Sequence, residues 1–235
     1  LIMQKIILLI AVFFISNVFG QDLNSFDENG KRHGKWMKYY DGTKNPRYKG
    51  QFMNGKEVGV FEFFHKEPKG KHPSCIKVFS PESDIVQVRY YTSKGVFLSE
   101  GNMRGKKRVG TWSSYERNTG VLIEKEEYKD GMLNGTKTSF YEDGKVLQTQ
   151  EFKNDLEHGK KIMYAPNGNL TSEYIFVKGK TDGVFTEYDK SGKKSLTGKY
   201  KMDKPQGVWK YYENGKLIKK KDYTLSNNPL KKKKN

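Results

Sequence analysis

The stretch Gly207-Val-Trp-Lys-Tyr-Tyr-Glu-Asn-Gly215-Lys216 decides the fold. It is a short aromatic run followed by Asn-Gly, a dipeptide that accepts the positive φ angles of a tight hairpin turn. A second copy, Gly34-Lys-Trp-Met-Lys-Tyr-Tyr-Asp-Gly42, stands near the start of the chain. Two such copies indicate an internal repeat, and the repeat period then governs the interpretation of the whole chain.

The repeat is counted from an anchor glycine two residues before the tryptophan. Consecutive copies lie 24 or 25 residues apart, except for one interval of 51 that holds a degenerate copy with Ile85 in the glycine place. The units therefore start near residues 34, 59, 85, 110, 135, 159, 183 and 207. The position five residues after the anchor is aromatic in all eight units: Tyr39, Phe64, Tyr90, Tyr115, Phe140, Tyr164, Tyr188 and Tyr212.

A second aromatic position lies two residues after the anchor. It fails at Gln87, Lys137 and Lys161. Its parity along a strand is opposite to that of the other aromatic position, so either both faces carry aromatics or a bulge separates the two positions.

Turn residues follow each aromatic run, as at Asp143-Gly144 and Asn167-Gly168, and predict type I′ turns. A second strand and a second turn, such as Asn54-Gly55 or Asp130-Gly131, complete each unit and leave no room for a helix. The sequence therefore predicts an all-β fold, an elongated single-sheet antiparallel β-meander of about eight 24–25-residue β-hairpin units.

The segment Tyr48-Lys-Gly50-Gln-Phe52-Met-Asn-Gly55-Lys-Glu-Val-Gly59-Val-Phe61 resembles the MORN repeat, Tyr-x-Gly-x-Trp-x-x-Gly-x-x-x-Gly. The segment from Gly101 to Trp112 is a second partial match. The added Tyr-Tyr-x-x-Gly-Lys is similar to the bacterial variant labelled as YwqK-family antitoxin proteins. The resemblance covers about residues 29–225, and it implies a non-catalytic repeat protein with a toxin-neutralising role.

The chain divides into four segments. Residues 1–20 are predicted to be a signal peptide, because Lys5 precedes a mostly apolar run from Ile6 to Val18. We expect export to the periplasm, the outer envelope or the medium after cleavage near Gly20. We expect residues 21–33 to form a lead-in, residues 34–225 the repeat array, and residues 226–235 a disordered Lys-rich tail.

The chain shows no catalytic signature. It contains no Gly-x-Ser-x-Gly, His-Glu-x-x-His or phosphate-loop motif, and its glycines recur with the repeat. His65, His72 and Cys75 would supply three zinc ligands but lack a fourth, so we predict no metal site. Because the catalytic and phosphate-loop motifs are absent, we also predict no cofactor and no enzymatic activity. Cys75, the single cysteine, is either a packed free thiol or the half of an intermolecular disulfide.

Charge and aromatic content supply the functional hypothesis. The formal net charge is +17, and export disfavours nucleic acid as a partner. We predict a protein-binding or scaffold module with an extended aromatic and basic sheet surface. The alternatives are an antitoxin-like protein and attachment to an anionic membrane lipid or acidic envelope glycan. The predicted binding residues, provided that their face is open, are Trp36, Phe61, Trp112, Phe185 and Trp209, with Lys231, Lys232, Lys233 and Lys234 in the tail.

Overall fold

The computed structural model describes residues 22–66 and 72–224, and these residues form eighteen β-strands and no helix. The strands are β1 (Ser25–Phe26), β2 (Arg32–Tyr39), β3 (Pro46–Met53), β4 (Lys56–Phe63), β5 (Cys75–Phe79), β6 (Ile85–Tyr91), β7 (Phe97–Arg104), β8 (Lys107–Tyr115), β9 (Leu122–Lys129), β10 (Met132–Phe140), β11 (Val146–Lys153), β12 (Leu156–Tyr164), β13 (Leu170–Val177), β14 (Lys180–Thr181), β15 (Gly183–Tyr188), β16 (Lys194–Lys201), β17 (Lys204–Glu213) and β18 (Lys216–Asp222).

Apart from β14 and β15, which do not pair with each other, strands adjacent in the chain pair antiparallel, from β1–β2 through to β17–β18. Strand β13 pairs with both β14 and β15, which together make one strand interrupted at Asp182. The described residues thus form one open antiparallel sheet, and the predicted hairpin meander is confirmed.

The anchor glycines bend the strands that carry them. Gly59, Gly110 and Gly207 have φ angles of 67°, 66° and 69°, a region that residues with a Cβ rarely occupy. The pairing shifts at the same points: Asn102 faces Val109, whereas Glu100 faces Ser113, so residues 110–112 oppose one residue of β7. A bulge therefore opens each of these units and strengthens its local twist.

Both sheet faces carry aromatic side chains. The ring of Trp112 lies over Gly101 on one face, whereas the Tyr115 hydroxyl reaches Glu100 on the other. Of the two explanations for the opposite parity of the aromatic positions, the first is therefore correct.

The degenerate third unit starts one residue later than its sequence indicated. The pairing shifts between Tyr90 and Tyr91 as it shifts between Ser114 and Tyr115, which makes Tyr91 the equivalent of Tyr115. Since Tyr91 lies five residues after the anchor, the anchor position of this unit is Val86. The position two residues after the anchor is then Val88 rather than Gln87. Sequence could not set this phase, because β-branched Ile85 and Val86 stand where other units have an anchor glycine.

Two turn geometries alternate along the chain. Most second turns have two successive positive φ angles, 51° and 83° at Asn54-Gly55 and 54° and 90° at Asp130-Gly131, as type I′ requires. The turn at Gly105-Lys106 is an exception, with a positive φ of 59° at Gly105 alone.

In most first turns only the glycine has a positive φ, 82° at Gly144 and 87° at Gly168, whereas Asn214-Gly215 has two, 49° and 79°. The prediction of type I′ is therefore wrong at Asp143-Gly144 and Asn167-Gly168, where a register shift beside each turn provides the hairpin geometry instead. At Asn214-Gly215 the two positive φ angles agree with type I′.

The core of this single sheet is a set of rings that cover one another. Phe52 and Phe61 meet edge to face at 5.2 Å, and Tyr200 and Trp209 do so at 5.0 Å. Such pairs add about 0.5–1.5 kcal/mol beyond the area that they bury. The high aromatic and low aliphatic content of the chain follows from this one-layer packing.

Candidate functional site

The aromatic row consists of the side chains two residues after each anchor and the residues opposite them on the preceding strand. Phe61, Trp112, Phe185 and Trp209 expose only 1, 2, 6 and 4% of their surface. Trp36 is half-buried and donates a 3.0 Å hydrogen bond from Nε1 to the Ser25 carbonyl. The premise that these rings lie on an open face is therefore wrong for the first four.

Glycine on the neighbouring strand explains this burial. Gly50, Gly101 and Gly198 lie directly beneath the rings of Phe61, Trp112 and Trp209, where an added Cβ would collide with ring atoms. The signal was available in the sequence as a glycine nine residues before the anchor. A binding role for the five aromatic side chains stays a prediction, but burial leaves four of them little surface to offer.

The predicted signal peptide, the predicted tail and its four lysines lie outside the described residues. Lys231–Lys234 fall outside, as do the predicted signal peptide at 1–20 and the tail at 226–235. Their roles stay predictions.

The aromatics five residues after the anchor join strands and units. The hydroxyl of Tyr188 donates to Glu173 at 2.6 Å, and this hydrogen bond, with burial and the Glu173 charge, raises the pKa of Tyr188 to about 12. Tyr164, which holds this position in its own unit, accepts a 2.8 Å hydrogen bond at its carbonyl from the hydroxyl of Tyr141, the residue after Phe140 in the preceding unit. These contacts fit the expected packing role.

Charged residues replace the rings in the middle of the aromatic row. Lys137 lies opposite Glu126 and contacts Glu126 at 3.2 Å and Glu124 at 2.8 Å. Burial lowers the pKa of Lys137, but hydrogen bonds and attraction from both carboxylates outweigh it and raise the pKa overall. Tyr128 donates to Glu126 at 2.9 Å. The charged groups of this cluster are paired with one another, which indicates a structural role.

A second repeated surface lies at one edge of the sheet. Turns of a meander alternate between two edges, so the two-residue second turns share one edge, which we call the turn ridge. Six residue pairs flank these turns, and every one of the twelve residues is basic or apolar: Met53/Lys56, Arg104/Lys107, Lys129/Met132, Lys153/Leu156, Val177/Lys180 and Lys201/Lys204. Eight are Lys or Arg and four are apolar.

The apolar side chains of the turn ridge are exposed to solvent. Met53, Met132, Leu156 and Val177 expose 43, 40, 51 and 39% of their surface. Together with the basic residues opposite them, these side chains give the ridge a mixed apolar and basic surface.

Few carboxylates neutralise the ridge. Arg104 pairs with Asp84 at 2.8 Å and Lys201 with Asp182 at 2.9 Å, but the remaining six lysines of the ridge have no ion pair among residues 22–66 and 72–224. The turn residues Asp155 and Asp203 use their carboxylates to accept the Leu133 and Thr181 backbone N–H groups, each at 2.7 Å. The ridge therefore presents an excess of positive charge.

No group of three metal-binding side chains occurs within the part of the chain that the structure describes. Cys75 is a buried free thiol whose pKa is raised by burial, which makes it a poor nucleophile. The same part contains no helix long and apolar enough to cross a membrane.

Comparison with known proteins identifies the repeat. A family model described as a MORN repeat variant matches residues 133–154, 157–178 and 205–224. These three segments are therefore MORN repeat variants, and the predicted resemblance is confirmed there, while the YwqK-family assignment is not. MORN repeats are generally protein- or membrane-binding modules and generally non-enzymatic.

Other comparisons add little. No curated protein matches the chain. One solved structure, of the Photorhabdus luminescens Tc holotoxin pore, is 13% identical over 80% of this chain and 13% of that chain, with a TM-score of 0.18. The chain thus spans only a small part of that protein's length.

Proposed function

We propose that this protein is a non-catalytic, exported scaffold that binds an acidic protein partner along the turn ridge. The observation that carries the proposal is the composition of the ridge flanks: eight basic and four apolar residues, with no acidic residue among the twelve. A ridge that served only to keep the sheet soluble would not need four exposed apolar side chains.

The binding mechanism rests on repetition. Where consecutive ridge turns are two strands apart, they are separated by about 9–10 Å along the edge. Each turn offers one or two cations for steering and most offer an apolar group for desolvation, so single contacts are weak. A partner with acidic groups at a similar spacing gains affinity from several turns at once.

Location and partner identity belong to the same proposal. The apolar run from Ile6 to Val18 supports export, so the partner would share the envelope or the extracellular space. The resemblance to antitoxin-like repeats supports one specific version, in which the partner is an acidic toxin of the same compartment.

The test compares two matched double variants of the mature chain as baits in envelope extract. The ridge variant is Lys153→Ser with Leu156→Ser, whose residues face each other beside one turn. The control is Val184→Ser with Lys199→Ser, a facing apolar and basic pair away from the ridge turns. We expect the ridge variant alone to lose the protein captured by the unmodified chain, and equal capture by both variants would overturn the proposal.

A second candidate function is attachment to an anionic membrane through the ridge and the Lys-rich tail. The observation that favours it is the pairing of exposed Met132 and Leu156 with Lys129 and Lys153, since interfacial membrane binding combines apolar insertion with cationic attraction. Vesicles of phosphatidylglycerol and of phosphatidylcholine distinguish the two functions. Binding to the anionic vesicles alone, lost at high salt, supports attachment, and binding to neither rejects it.

A further inference from the structure

The last strand of the sheet has an open side. Strand β18 (Lys216–Asp222) pairs with β17, and no other described strand pairs with it. All seven of its residues are exposed. An edge strand of this length is a template on which another extended chain can pair.

The backbone of β18 offers hydrogen-bonding groups outward. The Tyr223 N–H donates to the Gly207 carbonyl of β17 at 2.9 Å, which fixes the alternation of inward and outward residues. Lys219 and Lys221 then direct their backbone groups toward β17, whereas Lys220 and Asp222 direct theirs away from the sheet. Ile218 is the additional residue at the register shift and faces no residue of β17.

Most side chains of β18 are cationic. Lys219 and Lys221 lie over the rings of Tyr211 and Tyr223, at 5.7 and 4.5 Å. Lys220 stands directly opposite Lys210 of β17, and neither has an ion pair among the described residues. Like charges facing each other across strands are destabilising, so an anion placed between these two ammonium groups would relieve repulsion.

The apolar residues of β18 also support contact with a partner. Ile218 exposes 62% of its surface and Leu217 exposes 45%. Lysine on an edge strand prevents association with another cationic strand. An edge that served only this purpose would gain nothing from an isoleucine and a leucine held in solvent.

We propose that β18 is a docking edge for an extended acidic peptide segment of a partner protein, which adds to the sheet as a further antiparallel or parallel strand. The backbone of the peptide pairs with the backbone of Lys220 and Asp222, and one carboxylate of the peptide lies between Lys210 and Lys220. A second copy of this chain does not fit, because two lysine-rich β18 strands repel each other. Residues 225–235 do not fit either, since they contain Lys231–Lys234 and no acidic residue.

This edge is separate from the turn ridge and binds by a different mode, backbone pairing. It adds a site to the proposed function without depending on the ridge.

The experiment titrates the full mature chain with a synthetic peptide of alternating glutamate and valine, followed by residue-resolved amide hydrogen exchange. Strand addition predicts new protection, at least tenfold, at the outward amides of Lys220 and Asp222, with little change at the inward amides of Lys219 and Lys221. Binding without new protection at these two amides, or no binding, would overturn the proposal. A peptide N-methylated at every second residue on its pairing edge should lose the protection.

A matched pair of variants separates this site from the ridge. Lys220→Glu creates a Glu opposite Lys210, so we expect a raised Tm for the free protein together with at least a tenfold loss of peptide affinity. Lys204→Glu makes the same charge change on the ridge and should leave peptide affinity within twofold. Equal losses in both variants would mean that the peptide recognises net charge alone, which contradicts the edge site and leaves the ridge proposal to its own test.

Discussion

The aromatic row and the turn ridge are made by the same strands and repeat with the same period. They differ in how much of their side chains is exposed and in whether the polar groups have partners. Trp112 in the row is 2% exposed and its Nε1 donates to the Asn102 carbonyl at 2.9 Å. Leu156 on the ridge is 51% exposed, and the neighbouring Lys153 has no ion pair among the described residues. The difference teaches that aromatic periodicity reports packing here, and that unsatisfied chemistry marks the surface available to a partner.

The largest effect should follow removal of a ring from the row. Trp112→Ala deletes a fully buried side chain that stacks with Tyr90 at 6.2 Å and lies under the Arg108 guanidinium at 4.3 Å. We expect a loss of about 3–5 kcal/mol in the free energy of unfolding, measured by urea denaturation. Leu156→Ala on the ridge is the control and should lie within about 0.5 kcal/mol of the unmodified chain. A similar loss in both variants would remove the distinction between the regions.

The next effect concerns the charged middle of the row. Lys137→Trp alone places a ring over Glu126, and Glu126→Gly alone removes one of the two carboxylates that hold Lys137, so each should cost about 1–3 kcal/mol. The double variant recreates the ring-over-glycine pair seen at Trp112 and Gly101 and should recover much of the loss. A double-mutant cycle with urea denaturation measures the coupling, and strictly additive losses would contradict the pairing.

A smaller effect depends on pH. The Tyr188 hydroxyl bonds Glu173, and its pKa is raised from 10.0 to about 12 in the folded protein. Because the folded-state pKa lies above the unfolded one, this contribution is fully present below pH 10 and lost as the pH rises to about 12. Tyr188→Phe should cost about 1 kcal/mol at pH 8 and flatten stability over that interval. The control is Tyr39→Phe, because the Tyr39 hydroxyl has no hydrogen-bond partner among residues 22–66 and 72–224, and this variant should cost less than about 0.5 kcal/mol at pH 8.

The smallest expected effect on stability is the one with the largest expected effect on binding. Met132→Ser with Leu156→Ser changes two exposed ridge residues, so thermal unfolding should stay within about 0.5 kcal/mol of the unmodified chain. Capture of the acidic partner should nevertheless fall. A clear loss of stability would show that the ridge residues pack, and would contradict their assignment to binding.

Sequence alone predicted the fold well, because period and turn chemistry are local properties. The anchor glycines and the Asn-Gly and Asp-Gly turns predicted a meander of short hairpins, and the structure confirms it. The phase of the third unit was wrong by one residue at Ile85, since no glycine marks that anchor.

The candidate site was harder to predict. Burial of Phe61 and Trp112 depends on Gly50 and Gly101 of a neighbouring strand, and the pairing register that joins them is not visible in either strand alone. The ridge escaped notice because its residues, such as Lys129 and Met132, look ordinary until the topology places six turns along one edge.

The most direct test of the account is hydroxyl-radical footprinting of the mature chain, free and bound to the partner captured from envelope extract. Methionine and tryptophan are both reactive, so the two regions are read in one experiment. We predict that Met132 and Met202 of the ridge edge are oxidised in the free protein and protected in the complex, while Trp112 and Trp209 resist oxidation in both. Oxidation of Trp112 in the free protein that disappears on binding, with Met132 unchanged, would contradict the account and return the binding role to the aromatic row.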